Sequence, residues 1–243
     1  SSALNITVDT AAPVAPAVTT ITDDTGTASD GITSDSQLII TGTAEANASV
    51  EVFIDAGSIG TTTADGSGNW SFDHTSTTLA DGSYAITAAA TDVSGNTSAA
   101  SSALNITVDT AAPSAPTVAA ITDDTGTASD GITSDSQLII TGTAEANASV
   151  EVFIDAGSIG TTTADGSGNW SFDHTGTTLS DGSYAITAAA MDASGNTSAA
   201  SSALNVTVDT AAPAAPAVTA ITDDTGTASD GITSDNQLVI TGT

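Results

Sequence analysis

An all-β chain of small sandwich domains, about seven strands each and joined head to tail, follows from three features of this sequence. It repeats itself every hundred residues, its apolar residues alternate with polar ones, and turn-forming residues punctuate it at short intervals. Residues 1–100 return as 101–200 with eight substitutions, and 201–243 begins a third copy. A period of that length matches one domain, since solenoid repeats run to about 20–50 residues.

Each element has its own signal. Val50, Val52 and Ile54 point one way against Glu51, Phe53 and Asp55, and Leu104, Ile106 and Val108 oppose Asn105, Thr107 and Asp109. Both stretches read as strands with one wet face. Similar runs predict strands near 17–22, 37–42, 60–64, 69–73 and 83–92. They are separated by turns at Ala56-Gly57-Ser58, Asp65-Gly66-Ser67-Gly68-Asn69 and Asp81-Gly82. No helical period remains. About seven strands in a hundred residues indicate an immunoglobulin-like sandwich. Its expected core is Leu38, Ile40, Val52, Ile54, Trp70, Phe72, Tyr84, Ile86, Leu104 and Ile106.

All six prolines fall in three copies of Asp-Thr-Ala-Ala-Pro-X-Ala-Pro, at 9–16, 109–116 and 209–216. Proline fixes its own φ and holds its predecessor extended, so these are short, semi-rigid connectors. They divide the chain into 1–12, the last strand of a preceding domain with its linker; two complete domains, 13–112 and 113–212; and 213–243, the first strands of another.

The charge balance restricts function further. The chain carries 29 Asp or Glu, no Lys or Arg, and a formal charge of -29. Such acidity argues against nucleic acid and anionic membrane surfaces as partners, because both recruit Lys and Arg. No apolar run approaches the roughly 20 residues that span a bilayer, so no membrane insertion by this segment is expected. Cysteine is absent, which removes disulfides and thiolate chemistry. His74 and His174 read as half-exposed strand-end residues. No phosphate loop or nucleophile motif is present, so no enzyme is expected.

If the strands run up and down, the acids gather at two poles. Asp23, Asp24, Asp30, Asp35, Asp55, Asp81 and Asp109 lie at the leaving end of one domain. Glu145, Asn147, Asp165, Asn169, Asp192 and Asn196 lie at the entering end of the next. Like charges about 4 Å apart cost on the order of 1 kcal/mol even at bulk dielectric, so the junction needs a cation. Calcium takes oxygen ligands in irregular loops, and residues 23–31 and 92–96 are rich in them. Without Cys or paired His, zinc and copper fit poorly, and magnesium demands stricter geometry.

Asp23-Asp24-Thr25-Gly26, Ser29-Asp30-Gly31-Ile32-Thr33-Ser34-Asp35, Thr41-Gly42-Thr43-Ala44-Glu45, Gly68-Asn69-Trp70-Ser71-Phe72, Asp81-Gly82-Ser83-Tyr84, Asp92-Val93-Ser94-Gly95-Asn96 and Val108-Asp109-Thr110-Ala111-Ala112-Pro113 follow one another in this order. As a set they resemble the bacterial Ig-like extender repeats of giant RTX adhesins and Bap-like biofilm proteins, including the extender of an Antarctic ice-binding adhesin. That resemblance implies a calcium-stiffened stalk on a bacterial cell surface, monomeric in its array, whose partners are calcium and the neighbouring repeats of its own chain. It implies metal residues Asp23, Asp24, Asp30, Asp35, Asp109, Asp192 and Asn196, with their repeat equivalents Asp9, Asp92, Asn96, Asp123, Asp124, Asp130, Asp135 and Asp209. The alternative is a directly adhesive module that presents Thr61-Thr62-Thr63 or Phe53 to sugar, ice or another cell.

Overall fold

The computed structural model describes residues 4–221, 225, 227, 231–234, 236–237 and 239–243. The first repeat contains β1 (Ala17–Ile21), β2 (Ile32–Thr33), β3 (Ile39–Thr43), β4 (Ser49–Ile54), β5 (Gly57–Thr63), β6 (Asn69–Asp73), β7 (Gly82–Thr91) and β8 (Leu104–Val108). Two sheets face each other, ordered β1-β3-β6 and β2-β8-β7-β4-β5. All pairings are antiparallel except that of β2 with β8, where Ile32 lies opposite Thr107. The second repeat copies this plan with β9 (Thr117–Ile121), β10 (Ile132–Thr133), β11 (Ile139–Thr143), β12 (Ser149–Ile154), β13 (Gly157–Thr163), β14 (Asn169–Asp173), β15 (Gly182–Met191) and β16 (Leu204–Val208). Beyond it, β17 (Val218–Ile221) pairs with β18 (Ile240–Gly242), with Val218 opposite Gly242 as Val18 is opposite Gly42.

The sandwich closes because alternate residues of both sheets are apolar. Leu38, Ile40, Val50, Val52, Trp70, Ile86, Ala88, Ile106 and Val108 are buried together, and the second repeat buries its equivalents. Of the expected core, Ile54, Phe72, Tyr84 and Leu104 are only partly buried and pack against its margin. Leu4, Ile6 and Val8 share the sequence pattern of β8 but form no strand here and stay exposed. Residues 1–3 of that segment lie outside the described residues.

Three local features differ from the alternation pattern. β2 sits inside the acidic loop, where two residues carry too little period to announce a strand. It is anchored by Thr33, fully buried, whose hydroxyl donates to the Asp23 carbonyl at 2.7 Å. The β4–β5 turn is Asp55-Ala56, both with positive φ (48° and 66°), so Gly57 and Ser58 already belong to β5. This is the two-residue turn that suits the twist of a hairpin. Finally, β5 pairs with β4 in the larger sheet, so the smaller sheet has three strands.

Gly42 is required by a close approach. It lies opposite Trp70 in register, and a Cβ there would sit 2.0 Å from the Ala17 carbonyl oxygen and 2.3 Å from the Trp70 ring. Overpacking of this kind costs about 1–3 kcal/mol. Gly42→Ala is expected to lower the unfolding free energy of the first repeat by that amount, read as a lower urea midpoint, whereas Gly66→Ala, with open space around it, leaves the midpoint unchanged. Equal midpoints for the two variants would contradict this packing.

Candidate functional site

The acidic loop between β1 and β3 folds on its own side chains. Asp23 and Ser29 adopt positive φ (61° and 68°), as do Gly26 and Gly31, so the chain reverses repeatedly within ten residues. Asp24 Oδ2 accepts from Ser29 N at 2.7 Å, Asp30 Oδ1 from Ile32 N at 2.8 Å, and Asp35 Oδ1 from Gln37 N at 2.8 Å. Asp124, Asp130 and Asp135 make the same three contacts, and Asp123, like Asp23, accepts a threonine hydroxyl on its carbonyl. The Asx-type turns explain why Asp is needed at these positions before any ligand is considered.

The linker is clasped from both sides. On its own repeat, Thr110 donates through its N–H (3.0 Å) and its hydroxyl (2.8 Å) to Asp81 Oδ1. Asp109 N–H donates to the Thr33 carbonyl at 2.9 Å. On the following repeat, Asn196 Nδ2 donates to the Asp109 carbonyl at 2.8 Å and to Asp192 Oδ2 at 3.0 Å, while Ser194 hydroxyl reaches Asp109 Oδ2 at 3.3 Å. The same clasp recurs one repeat earlier, where Asn96 and Ser94 meet Asp9 and Asn96 also meets Asp92. Asp181 holds Thr210 as Asp81 holds Thr110, with Asp209 beside it accepting from Ala211 N–H. The acidic loop of the first repeat also touches the second directly: the Thr25 hydroxyl donates to the Ser194 carbonyl, and Thr27 N–H to that of Ala193 at 3.3 Å.

The structure therefore brings Asp109, Asp192 and Asn196 together at the junction, with the acidic loop against them. Sequence reasoning missed Thr25, Thr27, Ser194 and the role of Asp81 as a linker anchor. The Asp81 contact spans 29 residues and carries no motif. Asp23, Asp24, Asp30 and Asp35 cluster within their loop, and among the described residues no three Asp, Glu or His side chains converge as a metal cage. An all-carboxylate site is thus not preformed, and a cation there would draw on backbone and amide oxygens as well.

One observation bears directly on whether a cation fits. Asp24 Oδ1 and its equivalent Asp124 Oδ1 are buried without a hydrogen-bond partner. Each residue lines a small cavity, about 140 Å³ beside Ile21, Ser29 and Ile106 in the first repeat and about 150 Å³ in the second. A carboxylate oxygen withdrawn from water without a donor is costly, and a hard cation satisfies it.

Two expectations are corrected here. His74 is buried, its ring tilted against Phe72 at 6.1 Å and its backbone N–H bonded to the Leu38 carbonyl at 2.9 Å; His174 is partly exposed. Phe53, considered as an exposed contact residue, is half-buried.

A profile of the bacterial Ig-like domain matches residues 11–110 and 112–210. The chain belongs to the bacterial Ig-like domain family. The two Ig-like repeats are similar to fibronectin(III)-like modules of CbhA from Clostridium thermocellum (18% identity, 78% of this chain and 93% of that one, TM-score 0.45). They are also similar to a part of a bacterial ice-binding adhesin studied for cell-surface retention (26% identity, 82% of this chain and 67% of that one, TM-score 0.42). A tetra-tandem repeat from the extending region of a large adhesion protein shares 23% identity over 82% of this chain and 50% of that one, with a TM-score of 0.34. No curated protein sequence matches the chain.

Six carboxylates, each held by donors, lie below their ordinary value. Asp92 lies below its ordinary value, chiefly because the Asn96 amide donates to it. Asp65 and Asp165 are lowered mainly by the N–H of Asn69 and Asn169, Asp73 and Asp173 by the hydroxyl of the following threonine, and Asp181 by Thr210 N–H. A carboxyl whose folded pKa is depressed stabilises the fold above the unfolded value of about 3.9, and that contribution is lost as pH falls through the lower folded value. Protonation also relieves repulsion among the remaining acids, which acts oppositely; at about 1 M salt the Debye length is about 3 Å and this second effect is suppressed. In high salt, the urea midpoint is expected to fall as pH drops from about 5 to below 3. A flat or rising midpoint would contradict the hydrogen-bonded role of these acids.

Proposed function

We propose that this chain is a segment of an extracellular stalk: Ig-like repeats that act as spacers holding a distal binding module away from a bacterial surface, with calcium stiffening the joints. The observation that carries the reading is the two-sided clasp on the linker, in which Asp81 and Thr33 hold residues 109–110 on one repeat while Asn196 and Ser194 hold Asp109 on the next. A spacer needs its linkers fixed. A flexible string of binding modules does not.

Calcium is the cation whose chemistry suits the donors. Asp24 would hold it within each repeat together with backbone and hydroxyl oxygens of its loop, with Asp23, Asp30 and Asp35 adding negative charge nearby, and Asp109, Asp192 and Asn196 would hold it at the junction. The equivalents Asp123, Asp124, Asp130, Asp135, Asp9, Asp92, Asn96 and Asp209 would do so elsewhere in the chain. When bound, the ion supplies the positive charge that the sequence lacks. The chain's own residues orient the joint: Asp81 fixes the linker by Thr110, and the Asn196 amide bridges two acceptors. Because an ion that binds the folded, docked state and not the unfolded chain stabilises by mass action, each site contributes about 2.7 kcal/mol when free calcium is a hundredfold above its dissociation constant.

Adding calcium to chelated protein is expected to raise the melting temperature by several degrees and to lengthen the maximum dimension in small-angle scattering. EDTA should reverse both, and magnesium at equal concentration should do neither. Identical scattering profiles with calcium and with EDTA would sink the stiffening mechanism.

A further inference from the structure

We infer that the loop apex Thr25-Gly26-Thr27 is a docking surface for the turn 192–196 of the following repeat, and that the glycine pair Gly26 and Gly195 sets the angle at which successive repeats stop. This rests on the stalk reading, but concerns backbone contact and not the ion. A Cβ on Gly26 would sit 2.1 Å from the Ala193 carbonyl oxygen and 2.7 Å from Gly195 N. A Cβ on Gly195 would sit 2.9 Å from Gly26 N and 3.2 Å from its Cα. Two main chains therefore meet with no room for a side chain on either, flanked by the bonds from Thr25 and Thr27.

The chain contains its own control. Gly126 and Gly95 occupy the equivalent places, with φ of +82° and +90° against +73° and +88° for Gly26 and Gly195, yet a Cβ on either would meet nothing within 4 Å. The turn geometry is thus intrinsic to each repeat, and the close approach belongs to the junction. Burial follows: Ser194 is 1% exposed, whereas Ser94 stands in solvent. The contact takes the carbonyl of Ala193, which accepts from Thr27 N–H, and leaves its side chain exposed. The surface built by Thr125-Gly126-Thr127 has the same sequence as the docked apex, so it would accept the turn equivalent to 192–196 of another copy of this repeat.

The test uses pulsed electron paramagnetic resonance on the full chain, with spin labels at Thr61→Cys and Thr161→Cys, both exposed and away from the joint in a cysteine-free background. In saturating calcium, Gly26→Ala and Gly195→Ala are expected to displace the mean inter-label distance by several ångström. Gly126→Ala and Gly95→Ala, which carry the same strain of a side chain at positive φ, should leave it unchanged. Thermal melts should fall for both Gly26→Ala and Gly126→Ala, showing that loop strain is shared while displacement is not. An undisplaced Gly26→Ala, or an equal displacement in Gly126→Ala, overturns the inference. Chelating the parent chain reads calcium stiffening separately, so either idea fails without the other.

Discussion

With 29 carboxylates and no lysine or arginine, every acid in this chain must find its positive partner in an N–H, an O–H or a cation from outside. That constraint shapes nearly every loop. Asp65 caps its turn with the N–H groups of Ser67 and Asn69, Asp73 takes both donors of Thr75, and Asp55 takes Ala85 N–H across the sheet. Hydrogen bonds to an ionised acceptor are stronger than neutral ones, so backbone N–H groups, with hydroxyls such as those of Thr75 and Thr110, stand where other proteins use ion pairs. Self-repulsion remains, including where Asp109 and Asp192 are bridged at the junction.

The junction is where local satisfaction and long-range repulsion meet. Asn196 places one amide group between Asp192 and the Asp109 carbonyl, and Ser194 adds a hydroxyl to the Asp109 side chain. Neutral donors hold a linker in place but cannot cancel charge. The orphaned Asp24 and Asp124 oxygens mark the places where the chain's own donors run out. Under the proposed stalk reading, stiffness would depend on cation supply from the surroundings, while the direction of the stalk would be a property of the backbone contacts.

Much of this was legible in sequence, for identifiable reasons. The strands at 49–54 and 104–108 bury one face against a common core, so period two reported them directly. The poles were legible because antiparallel strands alternate their loops between two ends, which is enough to set the acidic loop of one repeat beside the 192–196 turn of the next. β2 was not, since two residues stabilised by Thr33 and by parallel pairing carry no pattern. The sheet of β5 was hidden because its side chains alternate identically whichever neighbour it joins. Trp70 could be assigned to the core, but not the bare Gly42 beneath its ring, because glycine at a close approach and glycine in a turn look the same in a sequence.

The central claim is that adjacent repeats become one body when a divalent cation offsets the acids at their joint. Residual dipolar couplings measured on both repeats of weakly aligned protein test it most directly. The account predicts one common alignment tensor in excess calcium and two distinct tensors after EDTA. A single tensor under both conditions, or two under both, would contradict it.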